Sequence, residues 1–398
     1  MTRGRSLKGL SGALALGVAI AKVSFAHGET RADDVRLEIS RIRLEENRAF
    51  AETRQGARPE LTLDPALTRA ALRLLEQAHP LEGAAVVIDL KTSSVRVFAE
   101  VQRGVARKSV ITEARMPAAS VFKLVTTAAL FESGGVRPND KICIAGGIRS
   151  VERRHLDAPH GGEGVSCAPF SQALGFSRNA VYAQLATRRL ARQDLIDVAE
   201  RLGFNSNVPF DFPVPLGSLQ VPYNDLEFAR TATGFQGSTL SPLGAAYLAS
   251  IIAQGGVAQR LHLLAGTSDS SGDDGTPTRV LKRATARRIT KMMEVTVRSG
   301  TSRQVFNDES GHSLLPGVRV AGKTGTLRPG SRSETTSWFV GFAPADKPEI
   351  AVSVMLENGS VWRQRAAEVA RDLLRVYFHR KGLPKIIDPL APPEPASE

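Results

Sequence analysis

Ser120 and Lys123 stand three residues apart in a run that is otherwise apolar or small, Pro117-Ala-Ala-Ser120-Val-Phe-Lys123-Leu-Val-Thr-Thr-Ala-Ala-Leu-Phe131. The run reads as a helix surrounded by protein, closed by Ser133-Gly134-Gly135. Residues three apart share a helix face. An ammonium inside protein is costly unless it is paired or used. A hydroxyl beside a desolvated amine is a nucleophile with its base. Free N–H groups at the helix start favour negative charge on a reacting oxygen. The plain alternative is a cap and a snorkelling lysine.

Two further segments hold side chains suited to the same chemistry. Phe176-Ser177-Arg178-Asn179 lies between helical runs, and Lys323-Thr324-Gly325-Thr326 ends a strand-like run. Each is weak evidence alone, and the three in this order are strong evidence. Cys143 and Cys167 are the two cysteines, with His155 and His160 between them. A disulfide, two free thiols and a metal site all stay open, although no ligand spacing matches a structural zinc pattern.

The elements that must carry these residues follow from periodicity. Ala84–Leu90 and Val95–Ala99 are β-rich around Lys91-Thr-Ser-Ser94, a hairpin signal. Residues 318–326, 336–342 and 349–356 form three more β-runs with short connections, which forces antiparallel neighbours. Asp64 and Pro65 open a helix to Ala78 as cap and first residue. Helices are expected over 180–190, 194–202, 241–255, 284–298 and 361–378. Strands at both ends with helices between them predict an α+β fold. One antiparallel five-stranded sheet is flanked by helices and interrupted by an inserted all-helical subdomain.

The chain has 398 residues, 42% hydrophobic and 23% charged, with a formal charge of +12. That composition suits a sizeable core. The basic excess suits an acidic polymer or a membrane surface. With no basic cluster interleaved with aromatics, no nucleic-acid partner is expected. Arg3, Arg5 and Lys8, the apolar run Gly9–Ala21 and Ser24-Phe25-Ala26 read residues 1–26 as a signal peptide, or as a short anchor giving membrane association. Either places the protein outside the cytoplasm, in a periplasm or its equivalent. Residues 27–60 read as a linker or a short amphipathic helix, 61–385 as the main domain and 386–398 as a disordered tail.

With all three segments in place, the chain resembles the penicillin-binding proteins in their transpeptidase domain, over about residues 60–385. Leu61-Thr-Leu-Asp-Pro65, Thr233-Gly-Phe-Gln-Gly-Ser-Thr-Leu-Ser-Pro-Leu243 and Arg298-Ser-Gly-Thr-Ser302 extend the resemblance. It implies a D,D-transpeptidase acting on D-Ala-D-Ala peptidoglycan stem peptides, with β-lactams as inhibitors and no cofactor or metal. It implies Ser120 as nucleophile, Lys123 as its base, Ser177 as proton relay and Asn179 as a partner of Lys123 or the substrate amide. Lys323, Thr324 and Thr326 would hold the terminal carboxylate, and Gly325 would let the substrate backbone lie against the strand. The N–H groups of Ser120 and Thr326 would form the oxyanion hole. Arg178 occupies a variable position in the family and is assigned nothing. The short stretch before the domain gives no support for glycan polymerisation.

Release of the acyl group to water instead would make a D,D-carboxypeptidase or a serine β-lactamase. No match to the class A β-lactamase glutamate loop is found in residues 160–175, where Glu163 is the sole acid. Val121-Phe122 resembles class D β-lactamases, but Ser177-Arg178-Asn179 and the long interval to Lys323 resemble the penicillin-binding proteins more. A non-catalytic β-lactam sensor or cell-wall binding module is the remaining alternative.

Overall fold

The structure is a computed structural model that describes residues 37–53, 56–103, 109–147, 150–159, 161–162, 164–266, 276–328, 333–383 and 386–391. Strands β1 (Leu37–Leu44) and β2 (Ala49–Thr53) form an antiparallel hairpin, and β2 also pairs with β3 (Glu60–Leu61). The expected linker or amphipathic helix is therefore a small sheet over its described residues. Ala49 and Ala51 are buried within the main core, which fixes that sheet to the domain.

Helix α1 (Pro65–Ala78) starts as the sequence dictates. Pro65 occupies the first turn and the Asp64 carboxylate accepts the Leu67 N–H at 2.9 Å. Strands β4 (Glu82–Asp89) and β5 (Val95–Gln102) follow as the expected hairpin. The chain then leaves the sheet. Strand β6 (Met116–Pro117) leads into a 3-10 helix, Ala119–Phe122, and α2 (Lys123–Glu132). Next come β7 (Lys141–Ala145), β8 (Val165–Pro169), α3 (Asn179–Arg189), α4 (Arg192–Arg201) and α5 (Asp225–Thr233). Strand β9 (Thr239–Leu240), α6 (Pro242–Ala253), β10 (Val257–Ala258), β11 (Thr278–Arg279), α7 (Arg283–Arg298) and α8 (Arg303–Phe306) complete this part. The chain returns to the sheet as β12 (Ala321–Leu327), β13 (Thr335–Ala343) and β14 (Ile350–Asn358), and α9 (Ala366–Arg380) follows.

The sheet has five antiparallel strands in the order β12-β13-β14-β4-β5. Strand β14 pairs with β4 in the register Val352↔Val87, so the last strand of the return lies against the first strand of the departure. Alternation along the strands divides their side chains between two cores. Ala84, Val86, Ile88, Trp338 and Val340 face a core shared with α2 and α6. Ala85, Val87, Phe339, Val352 and Val354 face a second core with α1 and α9. Burial on both sides is why β13 and β14 read as near-continuous apolar runs.

The insertion is mainly helical, and it also carries the β7–β8 hairpin. Cys143 and Cys167 are directly opposed there and form a disulfide, with Cα atoms 4.0 Å apart. Pairing settles the question the spacing left open. His160 and Glu163 lie outside the described residues, as do residues 1–26 and 392–398. Residues 386–391, expected with the disordered tail, include the buried Ile386. Helix α9 starts five residues later than expected, where the Glu368 carboxylate accepts the Arg365 N–H at 2.6 Å.

Candidate active site

The Ser120 segment is held from both sides. Met116 and Pro117 pair with Leu240 and Thr239, and the Ala118 N–H donates to the Ser238 carbonyl at 3.1 Å. The Trp338 indole N–H donates to the Pro117 carbonyl at 3.0 Å, which ties the segment to β13. Ala119 adopts φ 48°, a conformation that non-glycine residues rarely hold. The chain then winds through one 3-10 turn into α2, and this places Ser120 beside Lys123.

Lys123 is fully buried. Its Nζ lies 2.7 Å from Ser120 Oγ and donates to the Thr233 carbonyl at 2.9 Å. Neither partner carries a charge. Burial drives the proton affinity of this amine well below the ordinary lysine range, and the positive charge of Lys323 lowers it further. The Thr233 carbonyl had no signal as a lysine partner in the sequence, although the segment holding it was singled out. It is presented at the end of α5, where Gly234 turns the chain at φ 83°. A methyl group on Gly234 would lie 1.9 Å from the Ala119 carbonyl oxygen, so only glycine allows this approach. Behind Lys123, the Thr127 hydroxyl donates to the Lys123 carbonyl at 2.6 Å and shares a 2.7 Å bond with the Tyr182 hydroxyl.

Ser177 sits in the turn before α3 at φ 51°, and Asn179 is buried at the first residue of that helix. The turn is gripped by α7. Thr301 N–H donates to the Gly175 carbonyl at 3.1 Å, and a side chain on Gly175 or on Gly300 would overlap the other segment. Thr301 Oγ1 also lies 2.7 Å from Thr324 Oγ1, which joins that grip to β12. The sequence marks residues 298–302 as a small-residue turn but carries no signal for the roles of Thr301 and the two glycines.

Strand β12 supplies the third segment. Lys323 is fully buried, and its Nζ donates to Ser177 Oγ at 3.1 Å and to the Thr324 carbonyl at 2.6 Å. Burial brings its pKa down to about 7. Thr326 is exposed on the same strand. Gly325 has a packing consequence of its own. A Cβ there would lie 3.2–3.3 Å from Val121, Ala119 and Trp338, so the missing side chain lets β12 close on the Ser120 turn.

The three segments thus meet as two contacts, Ser120 with Lys123 and Ser177 with Lys323, linked by the positive charge that Lys323 places near Lys123. A hydroxyl within reach of an amine that readily loses its proton can attack a carbonyl. A second cation among hydroxyls can hold a carboxylate. Together they suit acyl transfer.

The chain belongs to the family described as the penicillin binding protein transpeptidase domain, which its residues 83–375 match. Peptidoglycan D,D-transpeptidase PbpA of Mycobacterium tuberculosis is 29% identical over 262 residues, covering 61% of this chain and 50% of that protein. Peptidoglycan D,D-transpeptidase MrdA of Haemophilus influenzae is 25% identical over 400 residues, covering 83% of this chain and 58% of that protein. The chain therefore spans about half the length of these curated relatives. The ceftriaxone acyl-enzyme complex of M. tuberculosis penicillin-binding protein A has a similar fold, with a TM-score of 0.63 and 22% identity over 80% of each chain. The transpeptidase domain of Burkholderia pseudomallei penicillin-binding protein 3 matches at TM-score 0.66 and 23% identity, over 83% of this chain and 98% of that one.

Proposed function

We propose that this protein is a D,D-transpeptidase that cross-links peptidoglycan stem peptides ending in D-Ala-D-Ala. The observation that carries the reading is the 2.7 Å contact between Ser120 Oγ and a fully buried Lys123 that also donates to the neutral Thr233 carbonyl. Membership of the transpeptidase family supports the substrate class.

In this reading neutral Lys123 takes the Ser120 proton as Oγ attacks the penultimate D-Ala carbonyl. The backbone N–H groups of Ser120 and Thr326 receive the developing oxyanion, an effect worth ~3 kcal/mol per donor in other acyl-transfer enzymes. Collapse breaks the peptide bond, and the proton passes through Ser177 to the departing D-Ala amine. Lys323, Thr324 and Thr326 hold the terminal carboxylate of the donor peptide. An amine from a second stem peptide then attacks the ester, gives its proton back along the same path, and restores Ser120. The Cys143–Cys167 disulfide supports an extracytoplasmic place of work. No helix among the described residues is long and apolar enough to cross a membrane.

Labelled penicillin with a chase tests the reading. Penicillin should acylate Ser120, Ser120→Ala should abolish labelling, and Lys123→Ala should slow it by about 10²–10⁴-fold, the usual worth of a general base. The label should persist for many minutes, and D-Ala-D-Ala peptides should be joined. Rapid loss of label with destruction of excess drug identifies a β-lactamase. Trimming without joining identifies a carboxypeptidase. A wild type that never labels leaves a binding module.

A further inference from the structure

Arg178 stands between Ser177 and Asn179, the two polar residues on its side of the site, and the proposed mechanism gives it no task. Its environment is nevertheless built. The guanidinium lies over the Phe176 ring, 5.8 Å from the centroid, and its Nη1 donates to Ser166 Oγ on β8 at 3.3 Å. Phe176 is 40% exposed, a large ring left open beside the catalytic turn. Among the described residues no carboxylate pairs with Arg178. Stacking and a hydroxyl fix the plane of the guanidinium while leaving other N–H donors of its fork available.

The position of this pair is also fixed. Gly175, one residue before Phe176, accepts the Thr301 N–H, and Thr301 Oγ1 contacts Thr324 Oγ1. Phe176 and Arg178 therefore bracket Ser177, whose Oγ accepts from Lys323 Nζ, in a turn that Thr301 joins to Thr324. A planar donor fork held one residue from Ser177 suits a second carboxylate, through paired charge-assisted hydrogen bonds. An open ring beside it gains by being covered.

We propose that Arg178, stacked on Phe176 and steadied by Ser166, is a specificity-determining residue that pairs with a side-chain carboxylate of the peptide substrate, distinct from its C-terminal carboxylate. The inference rests on the D,D-transpeptidase reading and names the substrate feature which that site prefers.

Three synthetic peptides ending in D-Ala-D-Ala test it with the full chain. One has a free side-chain carboxylate on the residue preceding D-Ala-D-Ala, one has it a residue further upstream, and the third has carboxamides at both. Penicillin acylation of the wild type is measured alongside. The wild type should acylate on one carboxylate peptide with kcat/KM about tenfold above the amide peptide, the scale of one charge-assisted hydrogen bond. Arg178→Ala should remove that preference while changing kcat/KM for the amide peptide by less than threefold. Arg178→Lys should restore part of the preference, and Arg178→Glu should reverse it. Thermal melts check that each variant folds. Equal rates on all three peptides, or a preference that survives Arg178→Ala, overturns the inference while the transpeptidase reading stands. A wild type that accepts penicillin but no peptide, or neither, overturns both.

Discussion

Gly234→Ala isolates the contact that sets the position of Ser120, the proposed nucleophile. Gly234 adopts φ 83°, and an L-residue in the left-handed region costs about 1–2 kcal/mol. The new Cβ would also lie 1.9 Å from the Ala119 carbonyl oxygen and 3.3 Å from Phe122 Cβ. Carbon–oxygen contacts settle near ~3.3 Å or beyond, so the two segments must part by roughly an ångström. Overpacking of that kind costs about 1–3 kcal/mol more, for a total loss of about 2–5 kcal/mol. Ala119 directly precedes Ser120, so the displacement falls on the reacting hydroxyl, and an ångström of misplacement can cost about 100-fold in rate. The assay is the second-order rate of acylation by fluorescent penicillin, measured on folded protein beside a denaturant titration. Gly256→Ala is the control. Gly256 has φ 88°, and its added Cβ would lie 2.4 Å from the Leu281 carbonyl oxygen, against the β10–β11 region. It should lose comparable stability while acylating within threefold of wild type. Equal acylation by the two variants refutes the claim that Gly234 seats Ser120.

Lys323→Met should uncouple stability from activity. With the folded pKa near 7 and the unfolded value near 10.5, the unfolded chain binds more protons between those pH values. Lys323 therefore makes wild-type stability rise with pH across that window. The methionine variant should be more stable than wild type near pH 7, by an amount on the order of a few kcal/mol that shrinks towards pH 10, while its acylation slows. Denaturant midpoints at the two pH values measure this, and a pH-independent difference contradicts the cause assigned to the shift. Cys143→Ala with Cys167→Ala should lower stability by about 3 kcal/mol, the closure term for a loop of this size, and dithiothreitol should then have no further effect on the variant. Reduction that leaves the wild-type midpoint unchanged would show that the bond constrains nothing.

The sheet and its helices were legible in the sequence because burial on both faces writes long apolar runs. The runs 84–90 and 349–356 coincide with β4 and β14 to within one residue at one end of each, and α1 begins at its predicted cap. Strand β12 begins at Ala321 and not at Val318, since Val318 and Val320 pack in the second core before the ladder starts. The β7–β8 hairpin was missed because its strands are five residues each, largely exposed, and separated by a long glycine-bearing connection. The β1–β2 hairpin was missed among charged residues whose pairing depends on β3 and the core behind it. At the site, the chemistry-bearing side chains were readable from their types and order. The Thr233 carbonyl and the Gly175–Gly300 approach were not, because a backbone contact between distant segments leaves no mark in either one's composition.

The pairing of β14 with β4 has a consequence for the order of events during synthesis. Ser120 and Lys123 are made early, followed by Ser177, while Lys323 and the strands that carry it come near the end. A nascent chain that stops before β12 has Ser120 and Lys123 but neither Lys323 nor the strands that close the sheet onto β4. Contacts of such long sequence separation form late, because the intervening loop must be closed before they can repay its entropy. Reactivity towards penicillin should therefore appear only after the chain has been completed and has closed on itself. On the proposed function, covalent labelling then reports closure of β12–β14 onto β4, and a half-made chain does not label.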